Sequence, residues 1–179
     1  MFLTGDDNWH GTSTVRGGKL SVVGSHASAI DVAGGTLGGS GSVTGDVDVA
    51  GGVLQPGLAP EEAARITDVH VTPGNVLTAG GDVRIARAGR LAVTVRGDSD
   101  YTSVGAAGDL VLDGELDVDV QGSLTPGTVL TLMKGRSVSG MLHKLPEGRV
   151  LHTGGYLFRV SYRNNSVTLT VIGAVPPRR

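Results

Sequence analysis

Ile30-Asp31-Val32-Ala33-Gly34-Gly35-Thr36-Leu37 returns almost unchanged further along the chain as Val47-Asp48-Val49-Ala50-Gly51-Gly52-Val53-Leu54. The same succession of alternating apolar residues and glycines recurs as Gly80-Gly81-Asp82-Val83-Arg84-Ile85 and again over residues 110–118. Alternation over such short spans is typical of β-strands, and glycine at their ends marks turns that need unusual backbone angles. Because one strand-turn unit repeats, we expect an all-β chain of stacked coils, each burying its apolar face on the next, as in a β-solenoid.

The composition agrees with this expectation. The chain has 30 glycines in 179 residues, and only 3% of its residues are aromatic. Paired glycines between strands explain the glycine excess without disorder or a collagen-like period. Stacked Val, Leu and Ile can fill the narrow core of a solenoid without large rings.

Several classes of site are disfavoured by what the sequence lacks. Its 15 basic and 17 acidic residues form no basic stripe with interleaved aromatic residues, so we expect no nucleic-acid partner. It has no cysteine, which excludes thiol chemistry, and its five histidines show no metal-binding spacing. No apolar run approaches the length of a membrane helix. We therefore expect no metal, no cofactor and no membrane insertion.

The chain divides into three parts within one domain. Residues 1–125 read as parallel rungs, with an insertion near 58–73 where Pro60 and the acids after it have the chemistry of a helix start. Residues 126–172 read as a C-terminal capping segment, and 173–179 as a tail.

The capping segment contains three of the six large aromatic rings. Two apolar runs flank Arg163-Asn164-Asn165 and predict an antiparallel hairpin with asparagine at its turn. We expect Tyr156, Phe158 and Tyr162 on this hairpin to seal the last rung. Trp9, the only tryptophan, is expected to cover the apolar face at the opposite end.

An acidic strand is the most prominent candidate site. With Leu116, Val118 and Val120 facing inward, Glu115, Asp117 and Asp119 project from the outer face. Such carboxylates could bind Ca²⁺ or cleave a glycosidic bond, but three groups on a flat strand diverge. We expect them to be solvated or paired with Arg84, Arg90 or Arg96 on a neighbouring rung.

Two further motifs bear on function. Arg96-Gly97-Asp98 is an adhesive tripeptide when it is displayed on an exposed loop, although a plain turn with Gly-Asp chemistry is the simpler interpretation. Together with the acidic strand, Arg96 and Asp98 form the candidate surface-binding set. No serine lies in a Gly-x-Ser-x-Gly elbow, so we predict no catalytic residue.

The order of the motifs resembles the autotransporter-associated β-strand repeat of bacterial exported proteins. The residues that carry the resemblance are Leu3-Thr4-Gly5-Asp6, Trp9-His10-Gly11, Thr14-Val15, Gly17-Gly18, Leu20, Gly34 to Val43, Leu54-Gln55-Pro56-Gly57 and Leu145-Pro146-Glu147-Gly148. The resemblance implies a single-stranded right-handed parallel β-helix from a secreted or surface-displayed bacterial protein, as a repeat stalk or as the C-terminal part of a passenger. It brings no catalytic residues, and the stretch 61–73 interrupts the family's pattern.

The sequence thus predicts a non-enzymatic structural or display module, a stalk or cap joined to other domains of a larger exported bacterial protein. The alternative is an adhesin-like module that binds polysaccharide or a host surface, and a polysaccharide-cleaving β-helix enzyme is a third interpretation. Uncovered solenoid ends would also allow self-association.

Overall fold

Twenty strands and one four-residue helix make up the regular structure of residues 1–66 and 74–175, the part of the chain that the computed structural model describes. In chain order they are β1 Phe2–Leu3, β2 Ser13–Val15, β3 Lys19–Val22, β4 Ser25–His26, β5 Ile30–Val32, β6 Thr36–Gly39, β7 Ser42–Val43, β8 Val47–Val49, β9 Val53–Pro56, α1 Pro60–Ala63, β10 Val76–Ala79, β11 Val83–Ile85, β12 Arg90–Val95, β13 Ser103–Ala106, β14 Leu110–Leu112, β15 Glu115–Val120, β16 Val129–Lys134, β17 Val138–Gly140, β18 Val150–Thr153, β19 Tyr156–Arg163 and β20 Ser166–Ala174.

The strands form three sheets that the chain visits in rotation. Sheet A contains β1, β3, β6, β9, β12 and β15, and sheet C contains β2, β5, β8, β11, β14 and β17. Both of these sheets are parallel throughout. Sheet B runs parallel through β4, β7, β10, β13 and β16 and then continues antiparallel through β20, β19 and β18. The predicted all-β, solenoid-like architecture is confirmed.

A ladder of leucines holds the coils in register in sheet A. Leu20 pairs with Leu37, Leu37 with Leu54, Leu54 with Leu91 and Leu91 with Leu116. Three of them, Leu37, Leu54 and Leu91, are fully buried. Each coil therefore places the same side chain on its predecessor, which gives a continuous apolar column without aromatic residues.

The corner between sheets B and C has constant length. Val43 to Val47, Ala79 to Val83 and Ala106 to Leu110 each span four residues, and these positions pair across successive coils. The constant spacing keeps the apolar residues of both sheets in register from coil to coil.

A Gly-Asp dipeptide occupies this B–C corner in three successive coils. The Asp46 carboxylate accepts a hydrogen bond of 2.8 Å from the N–H of Asp82, and the Asp82 carboxylate accepts one of 2.7 Å from the N–H of Asp109. A side chain at Gly81 would collide with the Asp46 carboxylate, and one at Gly108 with that of Asp82. Glycine is therefore required for this aspartate ladder to form.

Arg136 ends the aspartate ladder one coil further on. Its Nε and Nη2 lie 2.9 and 2.7 Å from the two carboxylate oxygens of Asp109, and the Ser137 hydroxyl donates to the same group. The hydrogen bonds from Arg136 hold the pKa of Asp109 below its usual value.

The corner between sheets A and B takes up the length variation. The step from Leu37 to Val43 is six positions, whereas the corresponding steps from Leu54 to Ala79 and from Leu91 to Ala106 are 25 and 15. The predicted insertion near 58–73 lies at this corner and contains α1; its residues 67–73 lie outside the described part of the chain. The turn 96–101 adds to the same corner.

The C-terminal strands close the far end of the stack. The predicted hairpin is present as β19 and β20, and β20 pairs antiparallel with β16. Because β16 and β17 still pair parallel with β13 and β14, the segment predicted to begin at 126 includes the last parallel strands. The segment predicted as a tail from 173 begins inside β20, and residues 176–179 lie outside the described ranges.

Candidate functional sites

The predicted acidic face lies on the outside of sheet A and is largely solvated. Glu115 and Asp117 are 53% and 63% exposed. Arg90 on β12 places Nη2 3.1 Å from Glu115 and Nη1 3.9 Å from Asp117. Arg90 is one of the three arginines predicted to pair with this strand, whereas Arg84 pairs with Asp48 and Arg96 with Asp100. Exposed ion pairs of this kind contribute about 0–1 kcal/mol, so the face is not a built site.

Asp119 differs from the other two carboxylates because it reaches the A–B corner. Gln121 donates a hydrogen bond of 2.7 Å from Nε2 to its carboxylate. Both residues line a polar groove of about 210 Å³ beside the inserted segment. The groove is lined by Gln55, Pro56, Gly57, Leu58, Ala59, Pro60, Glu61, Glu62, Thr94, Arg96, Thr102, Asp119 and Gln121.

An ion pair fixes the inserted wall of this groove. Lys19 Nζ on β3 lies 2.7 and 2.8 Å from the two carboxylate oxygens of Glu62 and donates to Gln55 at 3.0 Å. Glu62 also accepts from the N–H of Ala59, at the start of α1. Burial raises the pKa of Glu62, but the hydrogen bonds from Lys19 and Ala59 outweigh it and the pKa is lowered.

Arg96 also lines this groove and contacts the inserted segment. Its guanidinium lies 3.6 Å from the Asp100 carboxylate, 3.5 Å from Asn75 Oδ1 and 3.4 Å from the carbonyl of Leu58. Among the side-chain nitrogen and oxygen atoms that the structure describes, its Nε is the buried one with no hydrogen-bond partner. Nε itself is shielded from solvent, so Arg96 contributes to the groove as a partly buried cation, which favours an anionic or polyhydroxylated ligand.

Arg96-Gly97-Asp98 forms a turn rather than a projecting loop. The N–H groups of Arg96 and Gly97 both donate to the carbonyl of Asp100, at 2.7 and 3.1 Å. Asp98 accepts a hydrogen bond of 2.8 Å from the N–H of Thr125. Hydrogen bonds from the Thr125 side chain and main chain lower the pKa of Asp98. The charged ends are therefore occupied within the molecule, as the simpler interpretation of this motif predicts.

At the C-terminal end, the three predicted cap rings lie on β19. Phe158 is fully buried, and its ring centroid lies 6.3 Å from that of Tyr156. The Tyr162 hydroxyl accepts from the N–H of Leu142 at 3.0 Å and donates to the carbonyl of Leu145 at 2.6 Å. Burial raises the pKa of Tyr162. These rings fix the loop before β18 as well as the end of the core.

Glu147 fastens that loop to β19. It accepts a hydrogen bond of 2.6 Å from the N–H of Tyr162 and one of 2.8 Å from the Ser161 hydroxyl. These bonds, that from Tyr162 first, hold the pKa of Glu147 below its usual value.

The N-terminal end is more open. A cavity of about 170 Å³ opens there, and Leu3, Trp9, Val15 and Leu20 are among its lining residues. Trp9 is 70% exposed, so it lies at the rim of this cavity with most of its ring in solvent. The prediction that Trp9 covers the apolar end therefore stays a prediction.

A polar cluster forms the inner wall of the same cavity. His26 is 3% exposed, and its Nδ1 lies 2.7 Å from Asp7 Oδ2. Its Nε2 lies 3.1 Å from both the Ser13 and Ser28 hydroxyls. Asp7 also accepts from the N–H of Ala27 at 3.1 Å. The hydrogen bond with His26 is the main cause of the lowered pKa of Asp7.

Sequence reasoning missed this cluster, since Asp7, Ser13 and His26 belong to two different coils. Pairing of Asp6 with Ser25, and of Ser13 with Ile30, brings them together. The available signal was the position of His26, which pairs with the buried Val43 and so lies on the inward face of sheet B. A histidine at an inward position of a solenoid requires polar partners.

Other features narrow the choice of function. Within the described ranges, no group of three or more histidine and carboxylate side chains could hold a metal ion. No helix in the part of the chain that was searched is long and apolar enough to cross a bilayer. No protein-family model matches the chain, and no curated protein matches it.

Proposed function

We propose that the chain is a structural or display module, a β-solenoid that carries or caps other parts of a larger exported bacterial protein. One observation carries the proposal: the coils stack in three sheets, and antiparallel strands close the stack at one end only. At the C-terminal end an antiparallel hairpin extends sheet B beyond its last parallel strand, whereas at the other end the short strands β1, β2 and β4 stand at the sheet edges.

The finer architecture that we propose is a single-stranded right-handed parallel β-helix. Crossovers between parallel strands are right-handed in about 98% of cases, because a twisted strand packs back on its sheet only in that way. The motif order that resembles the autotransporter-associated repeat supports the same hand and a secreted or surface location. An experimental density map would test the hand directly.

A display assay tests the module function. A folded reporter is fused to the N-terminus of the full chain and exported in a bacterial host. The fraction of the reporter that is found on the cell surface and resists added protease is then measured. We expect the chain to raise this fraction relative to the reporter alone, and Phe158→Ala, which opens the C-terminal closure, to remove the gain. An equal fraction with and without the chain would contradict the proposal.

A second candidate function is binding of a polysaccharide or another anionic, hydroxyl-rich ligand in the A–B groove. Arg96 lines this groove together with the amide and carboxylate side chains of Gln55, Gln121 and Asp119, and this set of polar groups favours it. Sugars are recognised by such polar groups, although the lining residues that the structure describes include no aromatic platform.

A glycan array compares the two functions. If the groove binds glycans, Arg96→Ala should abolish the signal and Arg90→Ala, on the exposed acidic face, should keep it. The double variant Asp117→Ala/Asp119→Ala adds a test of the acidic strand itself. A blank array with the wild-type chain would count against binding and leave the module function.

A further inference from the structure

The polar cluster at the N-terminal end has the arrangement of a nucleophile, a base and an orienting carboxylate. Ser13 Oγ lies 3.1 Å from His26 Nε2, and His26 Nδ1 lies 2.7 Å from Asp7 Oδ2. The first distance lies within the range of 2.6–3.2 Å over which a base can take a proton from a hydroxyl, and the second is a hydrogen bond that can orient the imidazole. The serine faces a cavity, as a reacting group must.

We propose that Ser13 is a nucleophile activated by His26 and positioned by Asp7, and that it accepts short-chain acyl groups from esters. This activity goes beyond the module function, which assigns no chemistry to the coils. It also revises the expectation that no serine is catalytic. The missing Gly-x-Ser-x-Gly elbow belongs to folds with a strand-to-helix turn, whereas here the serine stands on an edge strand.

The carboxylate of Asp7 sets the direction of the imidazole. One oxygen faces His26 Nδ1, and the other accepts from the N–H of Ala27 at 3.1 Å and lies 3.4 Å from that of Trp9. Because these bonds hold the carboxylate in its ionised form, Nδ1 donates and Nε2 is left to accept a proton. Asp7 is therefore a positioning residue.

Ser13, rather than Ser28, faces the substrate side. Ser13, His26 and Asp7 all line the cavity, whereas Ser28 is 8% exposed and is not among the lining residues. The Ser28 hydroxyl also has the carbonyl of Ala29 within 3.5 Å as a second acceptor. Ser28 thus contacts the imidazole away from the cavity, whereas Ser13 lines the cavity.

A main-chain donor for the developing negative charge lies next to the nucleophile. The N–H of Ser13 bonds to the carbonyl of Ala29 in the neighbouring coil. Because main-chain groups of alternate residues in a parallel pair point in opposite directions, the N–H of Thr14 points toward the unpaired edge of β2. Thr14 lines the same cavity, where this N–H can donate to an oxyanion.

The size and lining of the cavity define the acyl group. Leu3, Val15 and Leu20 supply apolar walls, and Trp9 lies at the rim. A cavity of about 170 Å³ is smaller than the 300–1,000 Å³ usual for drug-sized ligands. It therefore suits an acetyl or butyryl group better than a long acyl chain.

The reaction balances without any further reactant except water. Ser13 Oγ attacks the ester carbonyl carbon as its proton passes to His26 Nε2, and the carbonyl electron pair moves to the oxygen. Collapse breaks the bond to the leaving alkoxide, which takes the proton from Nε2, and acyl-Ser13 remains. Water then attacks this ester, its proton passes through Nε2 to Ser13 Oγ, and the carboxylic acid is released.

Covalent labelling tests the nucleophile on the full chain. The protein is treated with a fluorophosphonate, and the modified peptide is identified by mass spectrometry. We expect one adduct on Ser13 in the wild type and in Ser123→Ala, a change at an exposed serine outside the cluster, and none in Ser13→Ala. Thermal unfolding of each variant confirms that it is folded. No adduct on the wild type, or an adduct on Ser28 alone, would overturn the proposal.

Hydrolysis of p-nitrophenyl acetate tests turnover. Exposed histidines hydrolyse this ester weakly, so the informative quantity is the difference between the wild type and Ser13→Ala. We expect Ser13→Ala to fall to the rate of the heat-unfolded chain. Asp7→Asn should lower kcat at least about tenfold with little change in KM, and Asp7→Glu should restore part of it. Equal rates for the wild type and Ser13→Ala would overturn the assignment.

Discussion

The two ends of the solenoid are finished in different ways. At the C-terminal end, three antiparallel strands extend sheet B, and the fully buried Phe158 fills the end of the core. At the N-terminal end, β1 and β2 are only two and three residues long, and a buried histidine with its carboxylate and serine partners replaces apolar packing. One end is thus stabilised by apolar burial and strand pairing, whereas the other relies on a few hydrogen bonds and keeps a cavity.

The largest difference in stability is expected when one aromatic ring is removed from each end. Phe158→Ala should lower the free energy of unfolding by about 3–5 kcal/mol, because a fully buried ring leaves a cavity. Trp9→Ala should cost less than about 1 kcal/mol, since its ring is 70% exposed. Urea unfolding followed by circular dichroism measures both. Equal losses would show that the two ends are closed alike.

Removing one hydroxyl from each end compares the hydrogen bonding. Tyr162→Phe should cost about 1–3 kcal/mol, because the N–H of Leu142 and the carbonyl of Leu145 both lose their partner. Ser28→Ala should cost less, since Ser13 still reaches His26 Nε2 at 3.1 Å. Thermal unfolding ranks the two variants. A larger loss of stability for Ser28→Ala would show that hydrogen bonding stabilises the N-terminal end more than the C-terminal end.

Acid should weaken both ends, through Glu147 at one and Asp7 at the other. Their hydrogen bonds lower both pKa values in the folded chain, so their stabilisation is complete above the unfolded pKa and lost as the pH falls through the folded one. We expect the free energy of unfolding to fall below about pH 5, and less steeply in Glu147→Gln and Asp7→Asn. Urea unfolding at a series of pH values measures the slopes. Slopes unchanged in both variants would contradict this assignment.

The smallest effect is expected on the acidic face of sheet A, which lies between the two ends. Asp117→Ala/Asp119→Ala should change the free energy of unfolding by no more than about 0.5 kcal/mol, because Asp117 is 63% exposed and its pairing with Arg90 is long, at 3.9 Å. Thermal unfolding in low and high salt measures it. A loss comparable to that of Tyr162→Phe would show that the acidic face helps to hold the coils together.

The repeat predicted the architecture because each turn of the solenoid reuses the same inward residues. The even spacing of Leu20, Leu37 and Leu54 in sheet A, the hairpin that turns at Asn164-Asn165 and the alternation around Asp117 were all readable from the sequence. Local patterns of this kind determine strands and turns before any long-range contact is known.

The candidate sites were less predictable, since each one combines residues from different coils, and the number of residues between those coils varies. Arg96 faces Leu58 only because the A–B corner absorbs an insertion, and Asp7 reaches His26 only through the pairing of Asp6 with Ser25. Neither spacing has a local signature. The acidic strand was visible in the sequence, but the sequence left three arginines as possible partners and did not single out Arg90.

The aspartate ladder has a consequence for how such a chain can change. Asp46, Asp82 and Asp109 fix the B–C corner by bonds that tolerate no added residue, whereas the steps across the A–B corner already range from six to 25 residues. Insertions can therefore accumulate at the A–B corner, while the constant B–C corner keeps successive coils in register. A peptide grafted beside α1 should be carried without refolding the scaffold, and the same peptide between Val43 and Val47 should not.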